Sequence, residues 1–411
     1  MKKVTAVLIG AGGRGQFTYA PYALQNPSEL EFVAVAEPRE FLRDEFAKIY
    51  DIKPENVFHS WEDALEKGPS ADCVIICTQD TMHIEPALLA IKKGFKNILL
   101  EKPIDPDINN SKKLAQIAEE HNVNIQICHS LRYTPYFRKL KEILDSKVIG
   151  DIVNIIHTEG VGFYHQAHSF VRGDWADTSC SSPMILAKCC HDMDLIVYLS
   201  GKKCKSISSY GKLSHFKPEN APEGSTERCI DGCKVRETCP YNAVRIYNEY
   251  EDFAKLACEK EGFTDLTEAL LKGRYGKCVY RCGNDAVDHQ TVNILLEEDV
   301  TVVLTMSAFS YRTGRDIRIM GTRGEIFGNM EDGSIQIYDF ASGNRESIEV
   351  HHPKTGHSGA DTIMMRDFVK MVAEGSKGVS DIKLSLQSHA MSHAAEISRL
   401  ENRMVDLDEI I

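Results

Sequence analysis

The first 130 residues alternate short apolar runs with longer segments whose apolar positions recur at helical spacing. The runs predict strands at Val4–Ile9, Phe32–Ala36, Val57–Phe58, Cys73–Cys77, Asn97–Leu100 and Asn124–Cys128. The segments between them predict helices that end near Leu24 and that span Phe41–Tyr50, Trp61–Lys67, Ile84–Lys93 and Ser111–His121. This βα order predicts a doubly wound α/β domain over residues 1–130, with a parallel sheet and right-handed crossovers.

The pattern changes after residue 130. Apolar and polar residues alternate along several segments, as they do in strands with one solvated face. These segments predict strands at Ile152–Thr158, Thr291–Leu296, Thr301–Met306, Asp316–Met320, Glu325–Phe327 and Ser334–Tyr338. Asp361–Ala373 and Leu384–Glu401 have helical spacing. We therefore expect an α+β domain with a large, mostly antiparallel sheet over residues 131–411, interrupted by an irregular insertion at about 215–285.

Composition narrows the class of protein. The chain has 411 residues, of which 43% are hydrophobic and 26% charged, with a formal net charge of −12. These values are typical of a soluble globular protein, and an acidic surface disfavours nucleic-acid binding. No apolar run approaches the roughly 18 residues of a membrane span, and no signal peptide is recognised. With 13 cysteines and no secretion signal, we expect a cytoplasmic protein with reduced thiols.

The turn after the first strand carries the strongest chemical signal. It reads Gly10-Ala11-Gly12-Gly13-Arg14-Gly15 and matches G-x-G-x-x-G between a strand and a helix, the fingerprint of a Rossmann dinucleotide site. Glu37 ends the second strand, where an acid would bind the ribose 2′-hydroxyl and repel a 2′-phosphate. This predicts NAD as cofactor. NADP stays the less favoured alternative, because Arg39 and Arg43 follow and an arginine can accommodate the phosphate.

Four further motifs follow this fingerprint: Thr78-Gln79-Asp80-Thr81-Met82-His83, Leu100-Glu101-Lys102-Pro103, His129-Ser130-Leu131-Arg132-Tyr133 and His191-Asp192-Met193-Asp194. With them the sequence resembles, over nearly its whole length, the Gfo/Idh/MocA family (glucose-fructose oxidoreductase, inositol dehydrogenase, rhizopine catabolism). Gln79 and Asp80 replace the usual Pro and Asn of the first motif.

The resemblance implies roles for individual residues. Lys102 would lie between nicotinamide and substrate, orient the reacting hydroxyl and help to move its proton, in a Lys-Pro bond that is often cis in the family. His191 would be the general base. Further cofactor contacts are implied for Thr78, His83, Glu101 and the glycine turn with Arg14, and substrate contacts for Arg132 and Asp192.

One position departs from the family pattern. The family commonly has an Asp four residues before the histidine, where this chain has Ala187. Lys188 stands three residues before His191, and helical positions three apart share a face. Lys188 is thus a candidate third catalytic residue, and the alternative is a lysine on a solvated helix face.

A loop after Ile152–Thr158 collects polar and aromatic residues. Tyr164, His165 and Arg172 precede Trp175, a combination that suits a sugar or polyol, where a ring stacks and polar groups bind hydroxyls. We take Tyr164, His165 and Arg172 as candidate substrate contacts. Ordinary surface polarity is the alternative for a loop of this kind.

Five cysteines lie within the predicted insertion and look unlike core cysteines. Cys229, Cys233 and Cys239 form one group, and Cys278 and Cys282 form another. The first three with either Cys278 or Cys282, of which Cys282 is our choice, could hold a structural zinc ion. Free or redox-active thiols are the slightly favoured alternative, and an iron–sulfur cluster is a weaker one because the spacing is not ferredoxin-like.

Three functions fit the sequence. The first is an NAD(P)-dependent oxidoreductase that acts on a secondary hydroxyl of a sugar, sugar derivative or cyclitol. The second is a glycosidase that uses NAD for transient oxidation and elimination, and the third is a non-enzymatic NAD-binding regulator. A sensor would need neither Lys102 nor His191, which favours an enzyme. By resemblance we also expect a homo-oligomer, a dimer or tetramer formed through the exposed face of the second sheet.

Overall fold

A computed structural model describes residues 2–351, 353, 356–376 and 378–411. The first sheet has six parallel strands in the order β3-β2-β1-β4-β5-β6. The strands are β1 (Val4–Ile9), β2 (Leu30–Ala36), β3 (Val57–Phe58), β4 (Cys73–Ile76), β5 (Asn97–Leu100) and β6 (Asn124–Ile127). The helices between them are α1 (Pro21–Gln25), α2 (Glu40–Ile49), α3 (Trp61–Lys67), α4 (Ile84–Lys92) and α5 (Ile108–Glu120). The predicted Rossmann-type sheet is confirmed.

The order of strands creates a cleft at one edge of this sheet. β1 pairs with β2 on one side and with β4 on the other, so the chain changes direction of winding there. Ligands of open α/β sheets bind outside the carboxyl ends of the strands at this switch point. The glycine turn after β1 and the motifs after β4 and β5 all lie at that edge.

The second sheet has nine strands in the order β14-β13-β12-β11-β7-β10-β9-β8-β15. They are β7 (Ile152–Gly160), β8 (Cys204–Lys212), β9 (His289–Leu296), β10 (Thr301–Ser307), β11 (Gly314–Gly321), β12 (Gly324–Asn329), β13 (Ser334–Asp339), β14 (Arg345–Glu349) and β15 (Val405–Asp406). Only the β7–β10 pair is parallel among these described strands, which confirms the mostly antiparallel prediction.

Helices cover one face of the second sheet. They are α6 (Pro135–Asp145), α8 (Met184–Ala187), α9 (Cys190–Ser200) and, near the end of the chain, α14 (Ile382–Glu401), whereas the short α7 (Phe163–His165) packs against the insertion. Leu140 of α6, Met193 of α9 and Ala394 of α14 lie in one buried core together with the inward-facing residues of the sheet. The other face leaves Ile156, Tyr210 and Phe327 exposed. Association through this face stays a prediction.

The insertion and the chain end differ from expectation. The segment predicted to be irregular contains three helices, α10 (Ala243–Glu249), α11 (Glu251–Glu261) and α12 (Leu266–Lys272), around a small core of its own. Helix α13 (Ala360–Glu374) packs into the core of the first sheet, although it follows the second sheet in sequence. No helix among the described residues is long and apolar enough to cross a membrane.

Candidate active site

The glycine turn is shaped for close approach of a ligand. Gly10 has φ +89°, and a Cβ on it would lie 2.6 Å from the Cys77 carbonyl oxygen. A Cβ on Gly15 would overlap the carbonyl of Gly10. The chain then forms a five-residue π-helix, Gly15–Tyr19, followed by α1, instead of one continuous α-helix to Leu24. The bare backbone of Gly12 and Gly13 at this turn fits the diphosphate of a dinucleotide.

Glu37 closes the turn from the second strand. The side chain is buried, and its carboxylate accepts a hydrogen bond from the Ala11 backbone N–H at 3.0 Å. Arg39 donates to both carboxylate oxygens, at 2.7 and 3.0 Å. A Cβ on Gly12 would lie 3.1 Å from the Arg39 Nη2 atom, so this guanidinium also borders the turn. The acid and the arginine that would distinguish NAD from NADP are therefore paired with each other.

The substitution Glu37→Ser should shift cofactor preference towards NADP. The variant removes the carboxylate and releases Arg39 for a 2′-phosphate, so NAD affinity should fall about 10–100-fold, the loss expected for hydrogen bonds to a charged group. NADP affinity should fall less or rise. Fluorescence titration with both dinucleotides measures this, and Glu40→Ser, an exposed acid at the start of α2, is the control. An equal fall for both dinucleotides would contradict the assignment.

The Lys102 turn follows β5 and meets the second domain. The Lys102–Pro103 bond is cis, and the Lys102 ammonium donates to the Ala187 carbonyl oxygen at 2.9 Å. Glu101, which is buried, accepts from the Lys102 backbone N–H at 2.9 Å and from the Arg14 Nε at 2.7 Å. Burial acts to raise the pKa of Glu101, but Arg14 and Lys102 outweigh it and the pKa is lowered. Glu101 and Arg14 thus link the glycine turn after β1 to the Lys102 turn after β5.

His83 connects the Thr78 loop to this turn. The ring is fully buried, with Nδ1 2.6 Å from the Pro103 carbonyl oxygen and Nε2 3.2 Å from that of Thr78. The Thr78 hydroxyl donates to the Met82 carbonyl at 2.8 Å. Both ring nitrogen atoms of His83 contact protein carbonyls, which fits a positioning role better than the direct cofactor contact implied by the resemblance.

A cluster of histidines lies beside Lys102. His191, near the start of α9, is 6% exposed, and its ring centroid is 5.6 Å from that of His129, which follows β6. The His129 ring is in turn 5.5 Å from His389 on α14. His389 accepts from the Ile104 backbone N–H at 2.9 Å. The structure therefore brings Lys102 and His191, the two residues of the predicted chemistry, to one cleft between the sheets.

Burial of these histidines predicts acid sensitivity. Burial lowers the pKa of His129 to about 4 and that of His168 to about 3. The unfolded chain takes up these protons near pH 6.5, so it binds more protons than the native state below that pH. The free energy of unfolding should fall by on the order of several kcal/mol as pH drops from about 6.5 to 4.

Urea denaturation at pH 7 and pH 5 measures this dependence. Neither His129 nitrogen has a hydrogen-bond partner among the described residues, so His129→Phe removes a titrating group without removing a hydrogen bond. The variant should lose less stability than the native protein on going to pH 5. His121→Gln, at an exposed position, should not change the slope, and equal slopes in all three proteins would contradict the prediction.

Asp192 lies in a buried network of charges. Its carboxylate is fully buried and accepts from His157 Nε2 at 2.7 Å and from Arg315 Nε at 2.7 Å and Nη2 at 3.1 Å. Burial acts to raise the pKa of Asp192, but Arg315 and His157 outweigh it and lower the pKa. These partners suit a role in holding α9 against the second sheet, and the direct substrate contact of Asp192 stays a prediction.

The same network holds Lys188. Its ammonium lies 3.2 Å from Glu159, a fully buried acid on β7 that also lies 3.1 Å from Arg315. Burial raises the pKa of Glu159 more than the two cations lower it. The Lys188 side chain is 17% exposed. Lys188 therefore does not lie on a solvated helix face. It caps the end of α8, whereas His191 belongs to α9, so the two residues do not share one face of a single helix as the sequence predicted.

The other candidate substrate contacts have structural partners. Arg132 donates two hydrogen bonds to the Asp194 carboxylate, from Nε at 2.5 Å and from Nη2 at 2.6 Å. Arg172 is 3% exposed and donates to the backbone carbonyls of Lys277 and Tyr241, each at 2.7 Å. These contacts fix α9 and anchor the insertion, which suits positioning better than direct recognition.

Tyr164 and His165 contact the insertion as well. The Tyr164 ring stacks on Tyr250 with centroids 3.8 Å apart, and its hydroxyl lies 3.1 Å from that of Thr313. The His165 ring centroid is 5.3 Å from that of Phe253. The loop is therefore a junction between the second sheet and α11.

The sequence did not single out the residues that close the cleft. Asp80 accepts from Trp175 Nε1 at 3.1 Å and from Ser182 Oγ at 2.8 Å, so it joins the first domain to the second. Asp80 belongs to the motif that begins at Thr78, and Trp175 belongs to the loop after β7. Nothing in their separation along the sequence predicted that the two side chains contact each other. Lys260 on α11 lies 5.4 Å from the Trp175 ring and pairs with Asp174.

Helix α11 also reaches the glycine turn. Leu256 Cδ2 would be 3.9 Å from a Cβ on Gly13, and the Lys255 ammonium is 5.1 Å from the centre of the Phe17 ring. Burial, then Arg274 and Arg39, lower the pKa of Lys260 to about 8. No sequence signal had connected the insertion to the cofactor site, which it in fact borders.

The predicted zinc ligands lie apart from this cleft. Cys229, Cys233 and Cys239 share a cavity with Cys278, whereas the Cys282 thiol donates to the Cys278 carbonyl at 3.2 Å. Within the described part of the chain, no three His, Cys, Asp or Glu side chains are positioned as they stand to hold a metal ion.

Comparison with known proteins agrees with the fold. One curated relative, a Bacillus subtilis (strain 168) protein named as an oxidoreductase, YteT, is 21% identical over 324 residues, 74% of this chain and 73% of its own. The next curated relatives match over 39–44% of their length.

Two solved structures share the whole fold. Levoglucosan dehydrogenase in complex with NADH and levoglucosan has a TM-score of 0.73 and 17% identity, with 98% of this chain and 99% of that chain covered. Scyllo-inositol dehydrogenase from Lactobacillus casei, with NAD(H) and scyllo-inositol, has a TM-score of 0.68 and 17% identity, with 99% and 100% covered.

Two family descriptions match adjacent parts of the chain. Residues 4–129 match "Oxidoreductase family, NAD-binding Rossmann fold", and residues 137–327 match "GFO/IDH/MocA C-terminal domain". Together they span most of the sequence, and they agree with the parallel and the antiparallel sheet described above. The chain belongs to the GFO/IDH/MocA family and is an NAD-binding oxidoreductase.

Proposed function

We propose that the protein is an NAD-dependent dehydrogenase that oxidises a secondary hydroxyl of a sugar, sugar derivative or cyclitol. The observation that carries this proposal is the meeting of Lys102 and His191 in one cleft. The Lys102 ammonium donates a hydrogen bond to the carbonyl of Ala187, four residues before His191. The side chains of Lys102 and His191 both lie near His129. The cleft opens at the switch point that the glycine turn marks in the first sheet.

The related structures support the substrate class. A cyclitol and an anhydrosugar, the molecules bound in the two dehydrogenases above, each present secondary hydroxyl groups on a ring. Identity to these proteins is low, so the proposal extends to the class of substrate and not to either compound.

Residues of this chain have distinct tasks in the oxidation. Bound NAD supplies the acceptor for the hydride that leaves the carbinol carbon. His191 accepts the proton of the hydroxyl as the carbonyl forms, and the Lys102 ammonium donates a hydrogen bond to the same oxygen. The hydroxyl proton is thus transferred to His191, and the electron pair of the C–H bond departs with the hydride, so atoms and charge balance.

Lys188 places a cation at the edge of this cleft, next to Ala187, where the family commonly has an acid. Its pairing with buried Glu159 holds the ammonium in place, because a lysine left unpaired there would be costly to desolvate. We propose that Lys188 binds a substrate hydroxyl next to the reacting one. Its task would then be recognition, with proton transfer left to His191.

A panel of polyols, cyclitols, free sugars and glycosides tests the proposal. Purified protein is incubated with NAD, while NADH absorbance and the products, by mass spectrometry, are followed together. NADH formation from a free polyol or sugar supports the dehydrogenase. Cleavage of a glycoside without net NADH would replace it with the redox glycosidase. NAD binding without any reaction across the panel would count against both enzymes and favour a regulator.

A further inference from the structure

Four cysteine residues of the insertion border one small cavity. Cys229, Cys233, Cys239 and Cys278 line it, and the cavity has room for about one water-sized sphere. We propose that these four thiols bind a single zinc ion, which stabilises the insertion from within. This site lies apart from the cleft of Lys102 and His191, so its existence does not depend on the proposed reaction.

Backbone pairing places two of the four cysteines on one face. Arg228 and Lys277 form an antiparallel bridge. The Cys229 N–H donates to the Gly276 carbonyl at 3.0 Å, and the Cys278 N–H donates to the Glu227 carbonyl at 2.8 Å. Because side chains alternate across paired strands, Cys229 and Cys278 both point away from the face of the bridging pair. Two distant segments therefore present their thiols to the same side.

A short looped segment supplies the other two. The Arg236 N–H donates to the Cys233 carbonyl at 3.3 Å, and the Cys239 N–H donates to the Val235 carbonyl at 2.9 Å. These turns fold the chain back, so that Cys233 and Cys239 reach one cavity although five residues separate them. The Tyr241 backbone N–H points at the Cys239 sulfur, a contact that suits a thiolate ligand.

The protein surroundings favour a metal over four unrelated thiols. Cys229, Cys233 and Cys278 are 7–9% exposed, in a part of the chain whose own core is small. Four thiolates satisfy the tetrahedral preference of Zn²⁺, and such sites stabilise segments that bury little apolar surface. Among the described residues the sulfur atoms do not stand in a coordinating arrangement, so the proposal requires the cysteine side chains to change rotamer when the ion binds.

The same geometry favours Cys278 over Cys282 as a ligand, and a single metal ion over an iron–sulfur cluster. Cys282 does not border the cavity, and its thiol donates a hydrogen bond to the Cys278 carbonyl. Cys278 therefore replaces Cys282, the choice made from the sequence, as the fourth ligand. A cavity with room for one small sphere accommodates a single ion. An iron–sulfur cluster, with several iron and sulfide atoms, would need the surrounding turns to open.

The metal content of the native protein is the first test. Protein produced in zinc-supplemented medium and purified under reducing conditions is analysed by elemental mass spectrometry. We expect about one zinc per chain, retained through gel filtration and released on treatment with a thiol-modifying mercurial, as followed with a zinc-binding dye. Protein with less than about a tenth of an equivalent, or with iron and visible absorption, would overturn the proposal.

Single variants then identify the ligands. Cys239→Ser and Cys278→Ser should lose most of the zinc, whereas Cys282→Ser and Cys258→Ser, the latter on α11, should retain it. Loss in Cys282→Ser with retention in Cys278→Ser would contradict the assigned set. Because zinc is first measured on the native chain, a variant that fails to fold does not decide the outcome, and neither does failure of the dehydrogenase assay.

Discussion

Replacement of His191 with alanine should lower kcat of the oxidation by about 10²–10⁴-fold, the contribution expected of a positioned general base. The side chain lies in the cleft beside His129, and the Lys102 ammonium donates to the carbonyl of Ala187, four residues earlier in the chain. NAD affinity should remain near that of the native protein, because the glycine turn and Glu37 lie elsewhere in the cleft. Steady-state kinetics with a substrate from the panel and a fluorescence titration with NADH measure the two quantities.

A surface histidine provides the control for this variant. His121→Ala, at the end of α5, should keep native kcat. Lys102→Ala should also lose activity, with a larger effect on kcat than on NAD affinity, because its hydrogen bond forms to the reacting oxygen. If His191→Ala keeps kcat within about threefold of the native value, His191 is not the base and the proposed proton path is wrong.

Arg315→Leu should reduce the free energy of unfolding by about 3–5 kcal/mol, the cost of leaving buried charges without their partner. Arg315 lies between the two buried acids Asp192 and Glu159, at 2.7 and 3.1 Å. Without it, only His157 and Lys188 remain beside these carboxylates. Urea denaturation monitored by circular dichroism measures the loss.

The same strand offers a matched control. Arg318, three residues along β11, pairs with Glu325 at 2.7 Å with 42% of its own side chain exposed. Arg318→Leu should cost less than about 1 kcal/mol, since exposed ion pairs contribute little. Equal losses in both variants would show that the buried network does not support the fold in the way described.

The sequence predicted both sheets because burial leaves a simple pattern. β4 is apolar at every position, since helices cover both of its faces, whereas β10 alternates because one face is open. β8 escaped prediction because its run Ser206-Ile207-Ser208-Ser209 replaces apolar residues by serines. Two of these, Ser206 and Ser209, are nevertheless buried, and the Ser209 backbone N–H donates to the Ser398 hydroxyl of α14.

The candidate site was predictable only as far as motifs reach. The glycine turn, Lys102 and His191 lie in local motifs, and the fold brings them together. The environment of Asp192 was not predictable, because its partner Arg315 lies 123 residues further along the chain. The same holds for α11, whose approach to Gly13 and Trp175 depends on how the insertion folds back, and no local pattern encodes that.

The transfer of a carbon-bound deuterium tests the central claim most directly. Panel compounds carrying deuterium at their carbinol carbons are incubated with the protein and NAD, and the NADH formed is analysed by mass spectrometry. The account predicts that NADH gains one deuterium per molecule and that the His191→Ala variant forms almost none. Product formation with the deuterium lost to water, or with unlabelled NADH, would contradict direct hydride transfer in this cleft.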